Sequence, residues 1–188
     1  MVVFSPDSFE QLEGENHRVL FFAMNLEAYF AAPDSFTIDD DFRARLLTSQ
    51  IADEQKLKLI GEIDPEFVTA NLSVAAKIGP ILDRSEIDPG KYGSEVIQAV
   101  VVNSTSEDVQ VSLLNKFQTA LSDDEVRHVL KGMPDPYRDV ATLGGWPRLK
   151  ETVENKKLAS WLKERNLISS YSELGLGGIR INNFRKES

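Results

Sequence analysis

The 188-residue chain contains no cysteine. Disulfides, thiolate metal sites and cysteine nucleophiles are excluded together, and a reducing compartment suits the composition. Histidine is scarce. His17 and His128 stand far apart with no partner at ligand spacing, whereas a metal site needs three or four converging donors. Long apolar runs are missing too: the longest, Val19 to Met24, falls well short of the ~20 residues that cross a bilayer. The start, Met1-Val2-Val3-Phe4-Ser5-Pro6, lacks the basic residue and apolar stretch of a secretory signal. Neither a G-x-x-x-x-G-K-S/T phosphate loop nor a G-x-S-x-G nucleophile elbow occurs. These absences lead us to expect a soluble, cytoplasmic protein with no cofactor, no metal, no enzymatic activity and no membrane insertion.

What is present is charge, unevenly spread. Residues 1–120 hold 20 acidic and 9 basic residues, and residues 121–188 hold 10 acidic and 12 basic, which together give the net −9 of the chain. An acidic body repels phosphate backbones, so only the C-terminal third is suited to nucleic acid.

Helical periodicity runs through the first region, 1–120. Asn16 reads as the cap of a helix carrying Val19, Phe22, Ala23, Leu26 and Phe30 inward and ending at Pro33. Phe21 and Tyr29 are placed on its other flank, as a docking strip or a surface covered by residues 2–12. Asp39-Asp40-Asp41 opens a second helix, where acidic side chains suit the positive end of the helix dipole. Asp53 to Ile60 is a third helix. Asp64-Pro65 is a cap with proline at the first helical position, and Phe67 to Ile78 carries that helix to Gly79-Pro80. The pairs Leu46-Leu47, Ile81-Leu82 and Leu113-Leu114 recur at a spacing compatible with stacked helix pairs, so the region reads as mainly α, either repeat-like or an irregular helical domain in which the pairs recur by coincidence.

The second region, 121–188, has tighter punctuation. Ser122-Asp123-Asp124-Glu125 is a capping box before Val126, Val129 and Leu130. Asp135-Pro136 opens a shorter helix with Tyr137, Val140 and Ala141, ended by Gly144-Gly145. A third helix, from Thr152 or Glu154 to Arg165, carries Leu158, Trp161 and Leu162 on one face. Ile168 to Leu174 and Ile179 to Phe184 then alternate as two strands joined through Gly175-Leu176-Gly177-Gly178. Three helices and a hairpin outline a winged-helix-like segment.

The run Asn155-Lys156-Lys157-Leu158-Ala159-Ser160-Trp161-Leu162-Lys163, followed by Ile168-Ser169-Ser170-Tyr171, resembles the extreme C-terminus of large bacterial YobI-type P-loop NTPases. Leu46-Leu47-Thr48-Ser49-Gln50-Ile51 with Glu54-Gln55-Lys56 resembles an element further upstream in those proteins. The resemblance implies a helical accessory region attached to an ATPase domain, and carries over none of the family's nucleotide-binding residues.

The candidate contact surface is basic. Lys156, Lys157 and Lys163 lie on or beside the helix in the recognition position, and Arg180 and Arg185 would sit on the wing. Glu151, Glu154 and Glu164 are interleaved with them, as on an ordinary solvent-facing helix. The leading expectation is a non-catalytic interaction or regulatory module whose partner is another protein or the upstream NTPase domain. The alternative is a nucleic-acid-binding winged-helix module.

Overall fold

The structure, a computed structural model, describes residues 5–143 and 151–168. Its chain divides into two compact units, Met1–Thr105 and Ser106–Ser188. Among the described residues both are built from α-helices, and no helix is long and apolar enough to cross a membrane.

Among its described residues the first unit carries eight α-helices: α1 (Pro6–Glu10), α2 (Glu15–Ala23), α3 (Leu26–Ala31), α4 (Asp40–Leu46), α5 (Asp53–Glu62), α6 (Pro65–Ala70), α7 (Leu72–Arg84) and α8 (Ser94–Asn103). Helix α2 packs against α1 and α4, α4 leads on to α5, and α6, α7 and α8 pack together with α5 against α7. Caps set several starts as the sequence leads one to expect. The Asp39 carboxylate accepts from the Phe42 N–H at 2.8 Å, and Asp64 caps α6 with Pro65 at its first position.

The helix expected from Asn16 to Pro33 is two helices. Its cap is Gly14, at a left-handed φ of 84° that glycine adopts without strain, and Asn16 lies inside the first turn. The break falls at Asn25, whose side-chain amide donates to the Phe21 carbonyl at 2.7 Å. The helix expected from Pro65 to Ile78 also breaks, at Asn71, whose amide donates to the Phe67 carbonyl at 2.8 Å. Asn103 repeats the contact to Ala99 at 2.7 Å, at the end of α8. In all three an asparagine satisfies the carbonyl four residues back, which offers the backbone an alternative to continuing the helix.

The stop expected at Gly79-Pro80 is absent, and α7 runs through Pro80 to Arg84. An interior proline costs about 3 kcal/mol. Ile78, Ile81 and Leu82, which straddle it, are almost fully buried, and each such side chain is worth about 1.5–3 kcal/mol. Burial on both sides of the proline outweighs its cost. The end of α7 is tied to the start of α5 by the Arg84 guanidinium, whose Nη2 lies 2.8 Å from Oδ1 of Asp53.

Phe22 and Tyr29 share one aromatic cluster, which corrects the placing of Tyr29 on an opposite flank. Their rings lie 4.8 Å apart across the break at Asn25, with Phe22 on α2 and Tyr29 on α3. Phe22 is also edge-on to Phe9 at 5.2 Å, Phe42 at 5.4 Å and Phe36 at 5.7 Å. Phe9 of α1 closes the cluster, with the Arg18 guanidinium 4.3 Å above its ring. The large exposed apolar side chains here are instead Leu20 of α2 and Met24 just after its end.

The second unit carries α9 (Glu107–Phe117), α10 (Asp123–Gly132), α11 (Asp135–Leu143) and α12 (Val153–Glu164). Helix α10 packs on α11, and α9 on α12. The capping box at Ser122 is formed. Its hydroxyl accepts from the Glu125 N–H at 3.4 Å, while the Glu125 carboxylate accepts from the Ser122 N–H at 2.7 Å. Replacing Ser122→Ala is expected to lower the unfolding free energy of this unit by about 1 kcal/mol in urea titration. The two strands expected between Ile168 and Phe184, with their glycine turn, lie outside the described residues apart from Ile168.

Candidate functional site

Helix α12 is fixed from beneath. Thr152 caps it, accepting from the Asn155 N–H at 3.1 Å. Its inward side chains Leu158, Ala159, Trp161 and Leu162 are buried. Polar groups in the same interface are paired. Trp161 Nε1–H donates to Oδ1 of Asn115 at 2.9 Å, and the Asn115 Nδ2 donates to the Glu154 carboxylate at 2.8 Å and carbonyl at 2.9 Å. The Tyr137 hydroxyl sits 3.0 Å from Oδ1 of Asn155 and 2.9 Å from the Glu107 carboxylate. Burial and the adjoining Glu107 carboxylate push the Tyr137 phenol well above its usual range. Arg165 closes the end of the helix, donating to the Gln118 and Leu121 carbonyls at 3.0 and 2.8 Å and pairing with Asp123 at 2.6 Å. These bonds hold α12 against α9 and the residues that lead into α10.

The outer face of α12 is where the sequence places its lysines. Lys156 and Lys163 are exposed and, seven residues apart, share one stripe with Ser160 between them. Neither makes an ion pair with any described residue. Val153 stands at the head of this face, 68% exposed. Lys157 is engaged, with its ammonium 2.7 Å from Glu154. Burial alone would raise the Glu154 carboxyl, but the hydrogen bonds from Lys157 and Asn115 outweigh it and hold that group below its ordinary value. Arg180 and Arg185 lie outside the described residues.

The other candidates have local explanations. Asp39 caps α4, while Asp40 and Asp41 pair with Arg43 and Arg45 in turn, at 2.8 and 2.6 Å. His17 and His128 are both exposed, and a ring nitrogen of His17 lies 3.1 Å from the Glu13 carbonyl. Among the described residues no group of three or more histidine, aspartate or glutamate side chains is placed to hold a metal ion.

Sequence reasoning missed a groove in the first unit. It has a volume of about 590 Å³ between α3, α5, α6 and α8, with the turn at Pro89–Lys91 on its rim. Its floor is apolar, and Lys58, Lys91 and Glu62 are the charged groups along it. The Glu62 carboxylate accepts from the buried Tyr29 hydroxyl and lies 3.7 Å from the Arg43 guanidinium. Burial first, and then the Glu62 carboxylate, push the Tyr29 phenol up to about 12. The available signals were two glycines, Gly61 within a helix and Gly93 before one, where missing side chains leave the wall open.

The fold and these surfaces define an all-α protein, among its described residues, with a lysine-faced helix in one unit and an apolar groove in the other. Compared with protein-family models, with curated proteins and with solved structures, the chain matches none of them.

Proposed function

We propose that the chain is a non-catalytic interaction module whose second unit docks on an acidic protein surface through the outer face of α12. The observation that carries this reading is the pairing pattern of that helix. The buried polar groups of α12 are satisfied from within the unit, and Lys156 and Lys163 are left as exposed ammonium groups on a helix whose position is fixed. Ordering long side chains costs less when the helix beneath them is already held. In this reading α10, α11 and α12 are the helices of a winged-helix-like segment, with α12 in the recognition position. The resemblance to the C-terminal region of YobI-type NTPases makes an ATPase domain of the same polypeptide one source of the acidic surface.

Charge arithmetic favours protein over nucleic acid. Proteins that grip duplex DNA neutralise about six to ten phosphates, and each contributes nearly one unit of salt dependence. Two unpaired lysines on α12 supply a fraction of that, and Glu164 is exposed beside them in a chain of net charge −9. The test is a photo-crosslinking residue at Ser160, introduced in the native host. A discrete crosslink to peptides of another protein, or of an ATPase domain in the same polypeptide, is expected, and it should vanish in a Lys156→Glu, Lys163→Glu double variant. A crosslink to nucleic acid, or a protein crosslink indifferent to the charge reversal, would overturn the proposal.

A further inference from the structure

The groove of the first unit has the size and lining of a ligand site. Its volume of about 590 Å³ falls inside the range of roughly 300–1,000 Å³ that small-molecule pockets occupy. Ile60, Val68 and Val96 form a buried aliphatic floor, and Phe30 and Tyr92 are half-buried aromatic walls. Such a floor favours an apolar body, since each methylene removed from water contributes about 0.8 kcal/mol.

The charges select the head group. The first unit, Met1–Thr105, holds 18 acidic and 8 basic residues, so a cationic groove is the reverse of its general charge. Glu62 is the single carboxylate in the lining, and it is engaged by Tyr29 and faced by Arg43. Lys58 and Lys91 form no ion pair with any described residue. Lys58 Nζ lies 4.9 Å from the centroid of the Phe30 ring, which holds a positive charge at the apolar wall. Lys91 is carried on the short turn whose Gly90 N–H donates to Asp88 at 3.0 Å. Two ammonium groups beside an apolar floor match a molecule that is apolar along its length and anionic at one end.

We propose that this groove binds a small amphipathic acid, an apolar chain or ring bearing one anionic head group. The apolar body lies over Ile60, Val68 and Val96, and the head group sits between Lys58 and Lys91. No bond is made or broken; the ligand would bind as a cargo or effector. The site is separate from the lysines of α12, and its failure would leave the interaction reading untouched.

The test is isothermal titration calorimetry of the full chain with decanoate, set against decanol as the uncharged molecule of equal length. Decanoate is expected to bind, with decanol weaker by about tenfold or more for want of the charge. The double variant Lys58→Glu, Lys91→Glu should weaken decanoate by at least a similar factor. Gly61→Leu is the second variant. A Cβ at Gly61 meets no atom within 4 Å, and glycine is a poor residue inside a helix, so the variant should fold while its side chain fills the groove. Loss of decanoate binding in Gly61→Leu, with unchanged circular dichroism and a melting temperature no lower than that of the wild type, is the expected result. No decanoate binding, equal affinity for decanol, or binding that survives Gly61→Leu would each overturn the proposal.

Discussion

Phe22→Ala is expected to destabilise the first unit by roughly 3–5 kcal/mol, the cost typical of removing a large buried aromatic side chain. The figure rests on position. Phe22 is fully buried, and its ring touches those of Phe9, Tyr29, Phe36 and Phe42 from four segments of the chain. No single neighbour can move into the space without leaving its own partners. Domains of this size have stabilities of about 5–15 kcal/mol, so one substitution removes a large part of the total. Hydrogen exchange read peptide by peptide is the direct check, with protection falling throughout α1, α2 and α4. Leu20→Ala serves as the control. Leu20 is on the same helix but 61% exposed, and its loss should leave protection nearly unchanged. Equal effects from the two substitutions would refute the assignment of Phe22 as the centre of the core.

Asn115→Asp is expected to cost the second unit roughly 2–4 kcal/mol at neutral pH and to become milder in acid. The wild-type amide is orientated by its partners: oxygen towards the Trp161 N–H, and nitrogen towards Glu154. An aspartate keeps the first bond but can no longer donate to Glu154, and it sets two carboxylates at hydrogen-bond distance. Like charge and burial both raise its folded pKa above the unfolded value of about 3.9. The penalty is therefore absent below that unfolded value, grows as pH rises towards the raised folded one, and is complete above it. Wild type moves in the opposite sense. Its Glu154 carboxyl is held below the ordinary value, so the stability this group contributes is present above its unfolded pKa and lost as pH falls through the folded one. Urea unfolding followed by tryptophan fluorescence reports on this unit, because Trp146 and Trp161 both belong to it. The wild-type and variant midpoints should approach each other between pH 7 and about pH 4. Asn115→Leu, which introduces no charge, should keep a gap across that range; a constant gap for Asn115→Asp would remove the carboxylate pair from the explanation.

Much of the local structure was legible in the chain itself. The caps at Asp39, Asp64 and Ser122 act within three residues of where they stand, so residue type and spacing suffice to place them. The inward faces of α10 and α12 follow from periodicity in the same way, and Lys156 and Lys163 fall on the outer face because Leu158, Trp161 and Leu162 take the inner one. The aspartate run at 39–41 was also readable as a helix start, since a single charged cluster beside a dipole needs no distant partner.

What only the tertiary structure decided are the choices in which a local preference met a distant one. Proline at position 80 reads as a stop, and burial of the side chains around it keeps the helix going. The apolar spacing carries helices through Asn25 and Asn71, and the side-chain bonds of these two residues end both helices early. Tyr29 reads as lying on the flank opposite Phe22, and Phe22 together with Glu62 draws it into the same core. The Asn115, Glu154 and Trp161 contacts join residues about forty positions apart, and the groove needs walls from four separate helices. Spacing along the chain carries no information about such meetings. Capping and periodicity are properties of neighbours, whereas a cavity, a buried amide or a proline tolerated inside a helix depends on which surfaces the folded chain brings together.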